Sequence, residues 1–308
     1  MRGWTKLIIY LIAVIMCVFF ASNTALAEDT EEATVTHLAE HIYRVSFPYS
    51  LRTNIGVSTG PDGILLVDTG FKETAEALNT VIHKLGSGDV LYIINTHLHG
   101  DHVSGNWICG KNATLVDFEN LEECMSYGFV FPGNSDLEGK LEKAFGSYYS
   151  INFNGEKIQI IPSPDIHSNA DILVYFSKSG VMHMGDLLLT QSFPAVGSRV
   201  KEYMRLLDKI VEIFPPETKF IAGHGRDFTM DDLKDYRQML QTTIGIVQEE
   251  MKAGKSLEQI KKAQVLKRWE AWGEFLIFLN CDVWIEFIFT SYPELFIKTA
   301  YTQIQRYQ

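Results

Sequence analysis

Cysteine is scarce in this chain: four among 308 residues, at positions 17, 109, 124 and 281. Cys17 falls in an N-terminal segment that reads as removable. The other three, Cys109, Cys124 and Cys281, are an odd number and exclude a fold stapled by a disulfide framework. Either Cys109 pairs with Cys124 or all three are buried thiols. Positive charge is also short, with 27 Lys and Arg against 38 Asp and Glu and a formal net charge of −11. A balance that acidic disfavours nucleic acid and anionic lipid as partners. No internal repeat or low-complexity tract is present. Past residue 27 no apolar run is long enough to span a bilayer. Residues 266–296 come nearest, dense in aromatics from Trp269 to Phe296, but Asn280, Asp282 and Glu286 interrupt them.

The first 27 residues stand apart. Arg2 and Lys6 make a positive start, Leu7 to Phe20 is apolar apart from Tyr10, and Ala25-Leu26-Ala27 has the spacing a signal peptidase reads. Residues 1–27 are therefore expected to be a secretory signal cleaved after Ala27, with an uncleaved anchor as the alternative. Ile15-Met16 before Cys17 argues against a lipoprotein site. Cleavage removes two positive charges and no acid, moving the formal charge from −11 to −13. The expected location is periplasmic or extracellular, with membrane contact only through this segment.

What is present is an alternation of strand and helix signals over a chain that is 46% apolar. Residues 28–34 read as a frayed terminus. Residues 41–45, 54–58 and 64–67 read as strands, with Pro61-Asp62-Gly63 as a tight turn between the last two. Ala75, Leu78, Val81, Ile82 and Leu85 have helical spacing, and residues 90–95 form an apolar strand. Further strands are expected at 113–116, 157–161, 171–176, 180–184 and 219–222, and helices at 119–127 and 199–214. Residues 128–140, rich in Gly, Pro, Asn and Phe, read as a loop long enough to overhang a cleft. From Met230 onward the chain reads as helical, with a capping box at Ser256 to Gln259. Strand, helix, strand in succession argues for layered α/β architecture.

Chemistry concentrates at strand ends. Directly after the 90–95 strand comes Thr96-His97-Leu98-His99-Gly100-Asp101-His102. In extended chain, side chains two apart share a side, so His97, His99 and Asp101 converge, and Gly100 lets the chain turn to bring in His102. These are more donors than one tetrahedral metal uses while keeping a place for water, which points to two metals rather than to a solvated His-rich turn. His167 follows Pro164 beyond a strand, Asp186 ends another, and His224 lies in Gly223-His224-Gly225 after a third. His37, His41, His83 and His183 have no partner at ligand spacing and read as structural.

A THxHxDHxxGN run, a distal His, a strand-end Gly-Asp and a late Gly-His-Gly, in this order over roughly residues 35–228, resemble the metallo-β-lactamase superfamily. The resemblance implies a four-layer αβ/βα sandwich over residues 28–228, with residues 229–308 as a helical C-terminal extension packed on it. It implies that His97, His99 and His167 hold one metal, that Asp101, His102 and His224 hold a second, and that Asp186 bridges them. This ligand set is similar to that of the glyoxalase II-like members, and zinc is favoured over iron. Around His167 many members have Gly-His-Thr, where this chain has Ile166-His167-Ser168. Asp68 and Asn106 are expected to orient the ligands rather than bind metal.

The activity implied is that of an exported dizinc hydrolase acting on a small molecule. A metal-bound hydroxide would attack an amide, ester, thioester or lactone carbonyl, and β-lactams fall among the candidate substrates. Asp101 would orient the nucleophile and pass its proton on as the catalytic residue. The alternative from another class is a non-catalytic metal-binding or redox-associated accessory protein on the same scaffold. Arg199 is a candidate for a substrate carboxylate, against a plain surface role. Phe129, Phe131 and Phe193 are candidates for an apolar cleft. Lys255, Lys261, Lys262, Lys267 and Arg268 read as a solvated helix face. The aromatic C-terminal helices read as packed on the main domain, or else as a homodimer or membrane-surface patch.

Overall fold

The computed structural model describes residues 33–48, 52–119, 136–146, 148–190, 192–196, 199–269 and 292–306. The 1–27 segment, the expected 119–127 helix beyond its first residue, Cys124, Phe129, Phe131, Cys281 and most of the aromatic C-terminal stretch lie outside the described residues.

Two six-stranded sheets form the centre. The first runs in chain order: β1 (Thr34–Ala39), β2 (Ile42–Ser46), β3 (Asn54–Gly60), β4 (Gly63–Val67), β5 (Val90–Ile94) and β6 (Thr114–Val116). The second comprises β7 (Tyr149–Phe153), β8 (Glu156–Pro162), β9 (Ile172–Phe176), β10 (Val181–His183), β11 (Lys219–Ile221) and β12 (Phe228–Thr229), again with neighbours in chain order. Both sheets are mixed. The pairs β4/β5, β5/β6 and β10/β11 are parallel and the rest antiparallel. A parallel pair needs a crossover. Helix α1 (Ala75–Leu85) supplies it between β4 and β5, and a longer helix supplies it between β10 and β11.

Strand alternation sorts the apolar residues into three cores, and three cores separate four layers. In β4, Leu65 and Val67 face the second sheet while Ile64 and Leu66 face α1, so the whole run is buried. In β9, Ile172, Val174 and Phe176 face the first sheet while Leu173 and Tyr175 face the opposite helices. The arrangement is the αβ/βα sandwich expected.

Helix α1 buries Ala75, Leu78 and Ile82 on the first sheet. Two four-residue helices follow β5: α2 (Gly100–Val103) and α3 (Asn106–Cys109). On the far side lie α4 (Asp136–Phe145), the crossover helix α5 (Val200–Ile213), α6 (Met230–Lys252), α7 (Leu257–Lys262) and α8 (Tyr292–Arg306). Helix α5 buries Val200, Tyr203, Leu206, Leu207 and Ile210 in the same core as Leu233 and Leu240 of α6, Ile260 of α7 and Ile297 of α8. The C-terminal helices thus pack on the second sheet. Capping boxes start α6, with Thr229 and Asp232, and α7, with Ser256 and Gln259. No helix among the described residues is long and apolar enough to cross a membrane.

Several expectations need correction. Thr34 belongs to β1, an edge strand too exposed to show an apolar pattern; its partner β2 defines it. Strand β7 adds to the expected strands: Tyr149, Ile151 and Phe153 alternate with Ser150 and Asn152, as in a half-buried strand. Residues 136–140 are helical rather than loop, since Leu137, Leu141 and Phe145 recur four apart and pack on the helical core. Phe193 lines no cleft: it is fully buried, stacked on Phe296 with ring centroids 4.6 Å apart. Cys109 is a buried free thiol, and burial followed by Glu76 pushes it up to about 12.

Candidate metal centre

All seven side chains singled out in the sequence meet at one edge of the two sheets. Donor atoms of His97, His99, His167 and Asp186 lie within 4.8 Å of one another, as do those of Asp101, His102 and His224. The first sheet supplies four of the seven through the turn after β5. The second supplies His167 after β8, Asp186 after β10 and His224 after β11.

The local chain explains the split of the His-rich run between the two groups. His97 lies in a bend beyond the end of β5, and His99 is the N-cap of α2 with ψ 146°. The helix then turns Asp101 and His102 away from His97 and His99. Gly100 adopts helical rather than left-handed backbone, so it is not a flexible hinge; helix formation makes the turn. The alternation that groups Asp101 with His97 and His99 therefore does not survive past residue 99.

Asp186 joins the groups. Its Oδ2 lies 3.8 Å from His97 Nε2 and 3.4 Å from His167 Nε2, and its Oδ1 lies 3.2 Å from both His102 Nε2 and His224 Nε2. Asp101 Oδ2 lies 3.2 Å from His224 Nε2 and 3.5 Å from His102 Nε2. His99 Nδ1 lies 3.1 Å from His167 Nε2.

Three imidazoles have the other nitrogen committed outside the group. His102 Nδ1–H donates to Asp68 at 2.7 Å, His167 Nδ1–H donates to the Ala195 carbonyl at 2.8 Å, and His97 Nδ1 lies 3.1 Å from the Thr96 hydroxyl. Each is left with Nε2 turned to the centre, the second-sphere arrangement that metal-binding histidines require. Asp68 is fully buried at φ 65° and also accepts from Thr96, backbone N–H at 2.7 Å and hydroxyl at 2.8 Å. This is the orienting role expected of it. Asn106 acts through Thr69, whose hydroxyl lies 2.7 Å from the Asn106 side-chain oxygen and 3.2 Å from the His102 carbonyl.

The charges are strongly coupled. Burial opposes a proton on His102 and on His224, but Asp186 with Asp68 holds His102 well above its usual value, and Asp186 with Asp101 lifts His224 to about 9. Burial alone would raise the two acids. His224 and His102 outweigh it, keeping Asp186 well below the carboxylate range and Asp101 at about 2. His97 has only a distant acid, and burial followed by His102 depresses it to about 3. His97 Nε2 is buried with no hydrogen-bond partner. A buried, neutral imidazole with an unused lone pair is costly unless something accepts that pair. The donor set of imidazoles and carboxylates, with that nitrogen unmatched, fits divalent metal.

Sequence reasoning missed several supports. Asp171 accepts from the backbone N–H of His167 at 2.8 Å and from Ser168 N–H and hydroxyl, and so fixes the loop without the Gly-His-Thr pattern. The left-handed residue there is Asp165, at φ 63°. Gly223 is required by contact: a Cβ would stand 2.1 Å from Asp186 Oδ1. His183 is structural as expected, donating from Nε2 to the Asn54 carbonyl at 3.0 Å and accepting from Gly185 N–H at 3.1 Å. His37 packs on Tyr43 of the neighbouring strand, His41 pairs with the adjacent Glu40 in the turn between β1 and β2, and His83 contacts the Asn79 carbonyl of its own helix. Arg199 lies 3.7 Å from Asp165, two residues from His167. Among the basic residues near α7, Lys255 and Lys261 pair with Glu250 and Glu258, as on a solvated helix face.

Comparison with known proteins agrees with this fold. The curated Beta-lactamase-like protein 2 homolog of Caenorhabditis elegans is 24% identical over 165 residues, 52% of this chain and 52% of its own length. The chain thus matches about half the length of that relative. Among solved structures, the stereoselective inverting sec-alkylsulfatase Pisa1 from Pseudomonas sp. superposes with a TM-score of 0.61 at 16% identity, over 89% of this chain and 50% of that one. TMB-1, a structure analysed for substrate and inhibitor binding, gives 0.52 at 16% identity over 68% of this chain and 98% of its own. At such identities these structures establish the shared fold alone. The family model of the metallo-β-lactamase superfamily matches residues 50–240, a span that holds both sheets' site loops, and the chain belongs to that superfamily.

Proposed function

We propose that the protein is a metal-dependent hydrolase holding two divalent cations, zinc in the first instance, and cleaving an amide, ester, thioester or lactone bond of a small molecule. The division of the Asp186 carboxylate carries this reading, one oxygen toward His97 and His167 and the other toward His102 and His224. A single carboxylate shared by two imidazole sets suits a bridged pair of ions. His97, His99 and His167 would hold one ion, Asp101, His102 and His224 the other, and Asp186 both. When bound, such a pair supplies Lewis acidity, lowering the pKa of water and polarising a carbonyl.

The chain's own groups supply orientation and proton handling. Asp101, kept ionised at about 2 beside His224, can accept a proton from the attacking water and deliver it to the leaving group. Asp68 and Thr96 keep the rings of His102 and His97 from rotating. Export through the 1–27 segment is part of the proposal and rests on that segment's residues; N-terminal sequencing of protein recovered from whole cells should begin at Glu28.

The test is metal content and turnover together. Purified protein should carry about two zinc ions per chain by elemental analysis and turn over at least one of nitrocefin, a thioester series and a lactone series. His97→Ala should lose both metal and turnover. Protein with no bound metal would refute the centre; full metal occupancy without turnover across the panel would favour the accessory reading.

A further inference from the structure

The His224 loop carries a metal-set donor between two glycines, and Thr190 of the second sheet's side donates to the His224 carbonyl from its N–H at 3.2 Å and its hydroxyl at 3.3 Å. We infer that Asn54 and Arg44, both from the first sheet, are positioning residues that set His224 for the second cation. The inference rests on the two-cation reading above.

Asn54 is fully buried at the start of β3. Its side-chain Nδ2 donates to the Ala222 carbonyl at 2.8 Å and to the Gly225 carbonyl at 2.9 Å, bracketing His224 on both sides. Its backbone N–H donates to the Gly223 carbonyl at 2.8 Å. The residue before it, Thr53, forms a β-bridge with His224 itself. Ala222, Gly223 and Gly225 are thus fastened to Asn54 of the opposite sheet, and His224 to the residue before it.

Arg44 fixes Asn54 in turn. Nη1 donates to Asn54 Oδ1 at 2.9 Å, which orients the amide so that its NH2 faces the loop. Nε pairs with Asp227 at 3.0 Å, and Nη2 donates to Thr36 at 2.7 Å. The guanidinium therefore spans β1, β3 and the chain just past Gly225. Planar, forked donors are the reason Arg and not Lys satisfies three acceptors here.

The consequence is selective. His224 belongs to the Asp101–His102–His224 group, whereas His97, His99 and His167 receive nothing from Asn54 or Arg44 among the described contacts. Loosening the clamp should weaken the second cation and spare the first. Misplacement of a donor through its outer partner typically costs roughly 10–100-fold in metal affinity.

Stepwise zinc binding to the metal-free protein, followed by calorimetry and by the visible spectrum of the cobalt-substituted form, tests this on Asn54→Asp and Arg44→Lys. Asn54→Asp keeps the Arg44 contact and replaces two donors with an acceptor facing two carbonyls. Arg44→Lys keeps the charge opposite Asp227 and removes the fork. Both variants should bind the first ion as the parent does and the second about tenfold or more weaker, with the parent's circular dichroism. Equal weakening of both ions, or no change in either variant, overturns the inference. Should Asn54→Asp not fold, Arg44→Lys decides alone by the same criterion. Failure of the parent to take up two ions would instead refute the two-cation reading.

Discussion

At the scale of single residues, the centre is a set of charges matched against one another across burial. Asp68 is the clearest case, since its φ of 65° suits Asn equally well and Asp68→Asn changes charge without straining the backbone. The substitution should leave folding intact but weaken cation binding by roughly 10–100-fold, read by competition with a chelator of known affinity. A second outcome follows from the protons. His224 sits at about 9 and His102 is well above its usual value in the metal-free centre, so at neutral pH both carry protons that a cation must displace. Apparent metal affinity should therefore rise with pH through about 9, where His224 loses its proton, and binding at pH 7 should release protons. Calorimetry in buffers of different ionisation enthalpy measures that release; its absence would mean that the two rings are neutral. The His-rich run was readable as a candidate because its residues are neighbours in the chain. Asp171, Asn54 and Thr69 were not, because each earns its place through a hydrogen bond to a residue far away in sequence or to backbone.

At the scale of elements, short turns decide where the donors point. Helix α2 divides the His-rich run, and the 3-10 turn Gly185–Leu187 aims Asp186, held from α5 by the Tyr203 hydroxyl donating to the Leu187 carbonyl at 2.7 Å. The Gly223 loop passes so close that any Cβ meets Asp186 Oδ1 at 2.1 Å and the Gly185 carbonyl carbon at 2.7 Å. Gly223→Ala should cost about 1–3 kcal/mol of stability and abolish binding of the ion pair, seen in thermal unfolding and elemental analysis. Retained metal content would show that the two turns can separate. The strands with continuous or alternating apolar residues were legible, as were α1 and α5. Strand β7 carries the same alternation, in Tyr149, Ile151 and Phe153, whereas β1 and helix α4 are defined by their pairing and packing partners.

At the scale of the whole molecule, the site is a clasp between two sheets. His97, His99, Asp101 and His102 come from the first, and His167, Asp186 and His224 from the second. An ion bound by both sets stabilises the folded chain and has no such site in the unfolded one. Zinc at a hundredfold excess over its Kd should add about 2.7 kcal/mol, and a chelator should lower Tm by the matching amount. Identical melting with and without chelator would contradict a centre shared by the sheets.

The sequence by itself determined the layered α/β architecture, the apolar faces of the strands and helices, and the seven donors, since these depend on residue type and short spacing. Only the tertiary structure decided which donors group together, which carboxylate oxygen faces which group, and which buried side chains hold the rings. Those outcomes depend on the packing of one sheet against the other, and a linear pattern carries no information about atoms such as His102 Nε2 and His224 Nε2, brought within 3.4 Å from 122 residues apart.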